Sequence, residues 1–311
     1  MNTLKTYIIL AVLFTLIIFF GLIITNLTGN VNYLWGAIVT SIVMNFISYF
    51  YSDKIALSMS RAKSIEEYLN NKQQKDVDTN NFESEARNSN KENIHIYKNI
   101  IKDLSIKNNM PEPALYIIED ASPNAFATGR NENHAAVAVT TGLLSMMNTE
   151  ELRGVLAHEL SHIKNKDILI MSIVIVAVSI FSMLSQTVMH ISSTSDKDDK
   201  GVTSVILATL SIISAIIMPI ASFIIQATIS KKREYIADAS GAILAENSKG
   251  LVSALRKLGS VNMPLESANA ATAHMYITNP FGAENTQGFL QRLFMTHPPI
   301  EDRIAALESA N

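Results

Sequence analysis

The sequence predicts a mainly α-helical chain with a small β-sheet, an α+β fold, integral to a membrane through about four transmembrane helices. Three observations carry this. Four long runs, at 7–24, 33–50, 168–189 and 202–229, are almost free of charge. Several of the intervening segments have helical periodicity. Two short stretches, "PALYIIED" and "AAVAVTTGLL", have the turn-bounded, apolar character of strands.

Composition agrees with a lipid environment. Of 311 residues, 48% are hydrophobic and 17% charged, below the charged share of an average soluble domain, about 25%. The net charge of −3 offers no basic face and excludes a nucleic-acid partner. The chain has no cysteine. Disulfides, cysteine nucleophiles and cysteine-ligated zinc are therefore excluded.

At a rise of about 1.5 Å per residue, some 20 helical residues cross the hydrocarbon layer of about 30 Å. Each apolar run is near or above that length. The first follows Lys5 but is long for a cleaved leader and no small-x-small site follows it, so it reads as an anchor. Pro219 is expected to kink the fourth. The basic clusters are Lys54, Arg61 and Lys63, then Lys164 and Lys166, then Lys231, Lys232 and Arg233. All fall on one side of a four-span arrangement, which the lysine and arginine bias assigns to the cytoplasm. The organisation expected is two spans in 1–52, a first cytoplasmic part in 53–167, two more spans in 168–229, and a second cytoplasmic part in 230–311. Both termini face the cytoplasm of a multi-pass protein of the cytoplasmic membrane.

Within the first cytoplasmic part, 53–70 reads as a helix leaving the membrane and 71–93 as a polar loop without periodicity. An amphipathic helix follows over 94–107, then the two strands, separated by the turn-rich "ASPNAFATGRNENH". Asn148, with Glu151 three residues on, has the form of a capping box opening "NTEELRGVLAHELSHI". Beyond the fourth span, "REYIADASGAILAE", "KGLVSALRKLG" and the segment after "HPP" read as helices.

His158 and His162 are four residues apart on the capped helix and share a face one turn apart. Two imidazoles so placed can hold one zinc ion, and Glu159 can reach a water on it: the HExxH pattern of zinc metallopeptidases. Such a site wants a third protein ligand and an open position. "SKKREYIADAS" offers Glu234 and Asp238, also four apart, and spacing alone admits either. Two crossings separate them from His162, which returns them to the same side of the membrane. Glu159 is the expected general base, passing its proton on to the leaving amine. His95, His134, His190 and His274 have no ligand spacing to partners.

The motifs "PNAFATG", "VAVTTGLL", "VLAHELSHIKNKD", "REYIADASGA", "MYITNPF" and "FMTHPPIEDRIAAL", in that order, resemble the HtpX-type membrane zinc metalloproteases of the gluzincin group. The resemblance implies a gluzincin-like cytoplasmic domain with one Zn2+, Glu234 as third ligand, and Asp238 supporting a ligand histidine. It brings His297 of the "HPP" motif near the site, where it is expected to stabilise the oxyanion, with Arg303 bracing it. An extended peptide can add to an exposed strand edge. Ala136, Val137 and Ala138, with Asn124 and Ala125, are the residues expected to receive it, and the resemblance supports both placements. The implied role is quality control of misfolded membrane proteins under stress, with peptides, membrane-protein substrates and the lipid bilayer as partners. Two rivals are an intramembrane-type metalloprotease, whose far ligand is an aspartate, and a catalytically inactive zinc-binding scaffold.

Overall fold

A computed structural model describes residues 2–76, 84–176, 231–269, 271–282 and 298–309. The chain opens with α1 (Asn2–Thr28) and α2 (Asn32–Phe50), which pack as a hairpin. Gly21 permits the approach: a Cβ there would lie 2.3 Å from the Cβ of Ala37. The hydroxyl of Ser41 donates to the carbonyl of Phe14 at 3.3 Å. Small residues and inter-helix hydrogen bonds of this kind hold helices together in lipid. Among the described residues, Asn32–Phe50 is the one helix long and apolar enough to cross a membrane, and Leu10–Asn26 is a shorter apolar stretch. Trp35, Val39 and Phe46 stay more than half exposed on its outer face.

From α2 the chain passes through α3 (Ser52–Met59) and β1 (Lys63–Ser64) into α4 (Ile65–Asp76) and α5 (Ser84–Lys107). The expected helix leaving the membrane is thus broken by a strand. The polar segment expected as a loop is helical on both flanks, because only one face of α5 needs to be apolar. Tyr97, Ile101 and Leu104 bury that face. Next come β2 (Ala114–Ile118), β3 (Ala125–Asn131) and β4 (His134–Thr140), then α6 (Thr141–Met146) and α7 (Thr149–Lys164). A helix, α8, opens at residue 168 and is described to 176. The second half contains α9 (Lys231–Ala245), α10 (Lys249–Gly259), a 3-10 turn (Ala273–Met275) and α11 (Ile300–Ser309). The remainder of the third expected span, the whole of the fourth, and His297 lie outside the described residues.

The sheet order is β1-β2-β4-β3, with β2 and β4 parallel and the outer pairs antiparallel. Both faces are covered. Val137 and Val139 pack on one side against α5, α6 and α7, while Ala136, Ala138 and Phe126 pack on the other against α3 and α8. Burial on both faces explains the near-continuous apolar run of β4. β3 was hidden in a turn-rich stretch; Gly129, at φ 141, sits where the β3–β4 register shifts.

α7 is fixed from three directions. Its capping box is complete, with Asn148 and Glu151 each accepting the other's backbone N–H at 2.9 Å. The buried Glu151 carboxylate also accepts from Lys257 and Ser253 on α10, both at 2.7 Å. Gly154 lets α10 touch: a Cβ there would lie 2.4 Å from the Leu251 nitrogen. Because that neighbour is backbone, it cannot swing aside. Gly154→Ala is therefore expected to destabilise the protein by about 3 kcal/mol, the upper end for overpacking, read as a lowered denaturation midpoint. Gly259→Ala is the comparison, since its Cβ would meet only the Ile300 side chain at 3.4 Å. Equal midpoints for the two variants would refute the packing argument.

Candidate active site

Three side chains from two helices converge beneath the sheet. His158 and His162 of α7 point their Nε2 atoms at one spot, 3.2 Å apart. Glu234, in the first turn of α9, brings Oε2 to 3.8 Å from the His158 Nε2 and Oε1 to 3.7 Å from the His162 Nε2. One ligating atom from each residue lies within 4.8 Å of the others. A tetrahedral zinc with bonds of about 2.0–2.1 Å sets its ligands about 3.3 Å apart, so the donor set fits such an ion with small adjustments. Gly241 makes the convergence possible. A Cβ there would lie 2.9 Å from the His158 Cα, so α9 docks directly on the α7 backbone.

Each imidazole turns its other nitrogen to a carboxylate. Asp238 Oδ1 lies 2.9 Å from the His158 Nδ1, and Asp167 Oδ2 lies 3.3 Å from the His162 Nδ1. Such partners hold a proton on Nδ1, so that the neutral ring would present its Nε2 lone pair to a metal. The two acids of "REYIAD" occupy different places: Glu234 faces the paired Nε2 atoms, and Asp238 faces the Nδ1 side of His158. Arg303 grips Asp238 with two bonds, Nε to Oδ2 at 2.8 Å and Nη2 to Oδ1 at 2.7 Å. Its Nη1 donates to the Ile277 carbonyl at 3.1 Å. Arg303 therefore braces Asp238, and the contact expected with His297 lies outside the described residues.

The electrostatics follow from burial. His158, Glu159, His162, Glu234, Asp238 and Arg303 are all buried. Burial opposes ionisation of Asp238, but Arg303 outweighs it and holds the carboxyl below its ordinary value. Burial also disfavours the charged His162 ring, yet Asp167 and then Glu234 override it and push the ring up to about 9. Glu159 is pushed up to about 7, chiefly by burial, with Glu234 adding to the rise and His162 and Arg303 opposing it. Neither Glu159 oxygen has a formed hydrogen bond among the described residues, although the Ala127 amide is close enough to favour the ionised form. A buried carboxylate whose oxygens form no hydrogen bond among the described residues, in electrostatic reach of His162 and Glu234, is placed to handle a proton.

The residues expected to bind an extended chain are corrected by the topology. Ala136, Val137 and Ala138 lie on β4, which is paired to β2 on one side and β3 on the other. Their backbone groups are used within the sheet and offer no edge. Asn124 is engaged as well. Its Nδ2 donates to the Thr278 carbonyl at 3.1 Å and its Oδ1 accepts from the Thr278 N–H at 3.3 Å. The carbonyl of Ala125 accepts from the Ile277 N–H at 3.0 Å. Asn124 and Ala125 thus tie the 276–278 segment to the start of β3. Tyr276 completes the tie, edge-on to Phe126 with ring centroids 5.1 Å apart. Among the described residues β3 is one of two outer strands, the other being the two-residue β1, and the Ala127 amide lies near the Glu159 carboxylate. The sequence reading also gave no role to Asp167; its position five residues past His162, where a helix-ending turn can fold back, was the available signal.

The profile of Peptidase family M48 matches residues 91–311. The chain is 40% identical over 275 residues to a protein named Protease HtpX homolog from Thermoanaerobacter pseudethanolicus, covering 86% of this chain and 81% of that one. It is 42% identical to a namesake from Desulfatibacillum aliphaticivorans, covering 94% and 85%, and 38% identical to one from Pelotomaculum thermopropionicum, covering 99% of each. Among solved structures, Ste24p of S. mikatae aligns with 99% of this chain and 65% of its own length, at 15% identity and a TM-score of 0.48. With an HExxH helix, a distant glutamate completing a metal-binding trio, and family similarity over most of its length, the chain belongs to peptidase family M48 and is an HtpX-type metalloendopeptidase.

Proposed function

We propose that this metalloendopeptidase uses zinc, resides in the cytoplasmic membrane, and hydrolyses peptide bonds in misfolded or damaged membrane proteins. The observation that carries the reading is the Glu159 carboxylate, buried with no formed hydrogen bond among the described residues, next to two Nε2 atoms 3.2 Å apart. A scaffold that only bound metal has no use for such a group. When bound by His158, His162 and Glu234, zinc supplies Lewis acidity for activating water and polarising the scissile carbonyl.

The chain's own residues do the rest. A Glu159 oxygen accepts the proton from the attacking water and then delivers it to the leaving amine nitrogen. One positioned carboxylate can serve both tasks. Asp238, held by Arg303, keeps the His158 ring oriented. An extended substrate adds along the outer side of β3, with Ala127 as the contact nearest Glu159, in place of the β4 edge expected from sequence. Main-chain pairing of this kind is tolerant of side-chain identity, which suits substrates defined by damage. His297 contributes to oxyanion stabilisation. Support for the membrane placement comes from the α1–α2 hairpin and the apolar helix Asn32–Phe50. The lysine and arginine distribution supports four spans, with both termini and the site facing the cytoplasm.

Glu159→Gln in purified protein is expected to retain one zinc and to lose hydrolysis of a model membrane substrate by at least about 1000-fold. His297→Ala is expected to retain zinc and slow turnover about 100-fold, the scale for one lost oxyanion donor. Full activity in Glu159→Gln would rule the mechanism out.

Metal analysis separates the two acids of α9. Glu234→Ala should come off a purification column without zinc. Asp238→Ala should still bind it, about 10–100-fold more weakly, as expected for a group acting through a ligand. The opposite pattern would transfer the ligand role to Asp238.

Zinc binding should also release protons. His162, pushed up to about 9, is protonated at pH 7 and must lose that proton from Nε2 to ligate. Apparent zinc affinity should rise with pH by up to about tenfold per unit and level off above about 9. Calorimetry at pH 7 in buffers of different ionisation enthalpy measures the release. Titrations that give the same heat in every buffer would count against it.

A further inference from the structure

The motif helix does not run on into the membrane-directed segment. α7 ends at Lys164, and Lys166 takes a left-handed φ of 59°. The Asp167 N–H donates to the His162 carbonyl at 2.9 Å and the Lys166 N–H to the Ile163 carbonyl at 3.0 Å. These are the two bonds of a Schellman turn. A lysine adopts the left-handed conformation at a cost that glycine does not incur. The turn folds the chain back on itself, so Asp167 returns to the histidine it has just passed.

Asp167 then does two things at once. Its Oδ2 lies 3.3 Å from the His162 Nδ1, and its Oδ1 accepts from Arg233 Nη1 at 2.7 Å. Both residues lie away from solvent, with side-chain exposures of 4% for Asp167 and 12% for Arg233. Arg233 immediately precedes Glu234 in the first turn of α9. The two residues also flank the 168–230 segment, one at each end.

We propose that Asp167 and Arg233 form a clamp that sets the metal affinity of the site. The ion pair pins the turn bearing Glu234 to the end of α7, and the same carboxylate fixes the ring of His162. One buried bridge thus aligns the second and third ligands. The His158 ring has a separate brace in Asp238 and Arg303, so the two imidazoles are held by two different carboxylate–guanidinium pairs. Asp167 and Arg233 are positioning residues, because each acts through a ligand or the helix bearing one. The inference rests on the zinc reading above.

The test uses the full chain in detergent, with zinc affinity measured by chelator competition and thermal unfolding followed alongside. Arg233→Gln should weaken zinc binding about 10–100-fold. Arg233→Lys should recover part of that loss, because an ammonium can still reach Asp167. Asp167→Asn should fall between wild type and Arg233→Gln, since an amide oxygen can still accept from Nδ1. Lys232→Gln, exposed on the same turn of α9, should bind as wild type. With cobalt in place of zinc, the visible absorption bands of a tetrahedral site should shift in Arg233→Gln and not in Lys232→Gln. Wild-type affinity and an unchanged cobalt spectrum in both Arg233→Gln and Asp167→Asn would overturn the clamp. If Arg233→Gln fails to fold, Arg233→Lys and Asp167→Asn decide by the same readings. Wild-type protein that binds no zinc would instead overturn the zinc assignment and the clamp with it.

Discussion

Burial of charge is the constraint on which this structure turns. Glu159, Glu234, Asp238 and Asp167 sit in one shielded cluster, and Arg303 is as deeply buried among them. Uncompensated carboxylates in such a setting are costly, and they either find partners or take up protons. Asp238 finds Arg303, and Asp167 finds Arg233. Glu234 is left on the side of the paired Nε2 atoms, with Glu159 in electrostatic reach of it. The pull of these acids on His162, up to about 9, measures how strongly the cluster favours positive charge at that place. A divalent cation answers the same demand with coordination bonds added. The features that make the site expensive to bury also favour a cation there.

Holding that cluster together requires helices closer than side chains normally permit. Gly241 brings α9 onto the α7 backbone at His158, and Gly154 does the same for α10 at Leu251. Arg303 then ties α11 to Asp238 and to the Ile277 carbonyl. Through Asn124 and Thr278, that strap reaches the start of β3. A continuous set of polar contacts therefore runs from the metal-binding trio to the outer strand. Sheet and site are thus linked by side-chain contacts, which tie the start of β3 to the helices carrying His158 and Asp238.

Much of this was legible in sequence because the informative residues are local. The capping box, the HExxH spacing and the helix carrying Glu234 need only neighbours along a helix. The choice between Glu234 and Asp238 could not come from spacing, since residues four apart share a face; it depends on which side of His158 each turn of α9 meets. β3 was concealed because Pro123, Asn124 and Gly129 signal turns while its apolar content is small. β4 was recognised as a strand but not as an inner one, because pairing partners are nonlocal. The helical flanks of the polar 71–93 segment were missed because polar and charged residues dilute its periodicity, and among the described residues the buried stripe of α5 is seen from Ile94 onward.

The break between α7 and α8 changes how the site relates to the membrane. A single helix from His162 to Ile168 would have set their separation at about 9 Å by its rise alone. The Schellman turn cancels that rule, so α8 does not fix the ring of His162 by rigid extension. What transmits position instead is the Asp167 carboxylate, whose second oxygen is held by the residue that opens α9. Chain leaving the catalytic half and chain returning to it meet at that carboxylate. In the clamp proposed above, the two ends of the 168–230 segment are therefore tied to the candidate ligands, one through the ring of His162 and the other through the turn that bears Glu234.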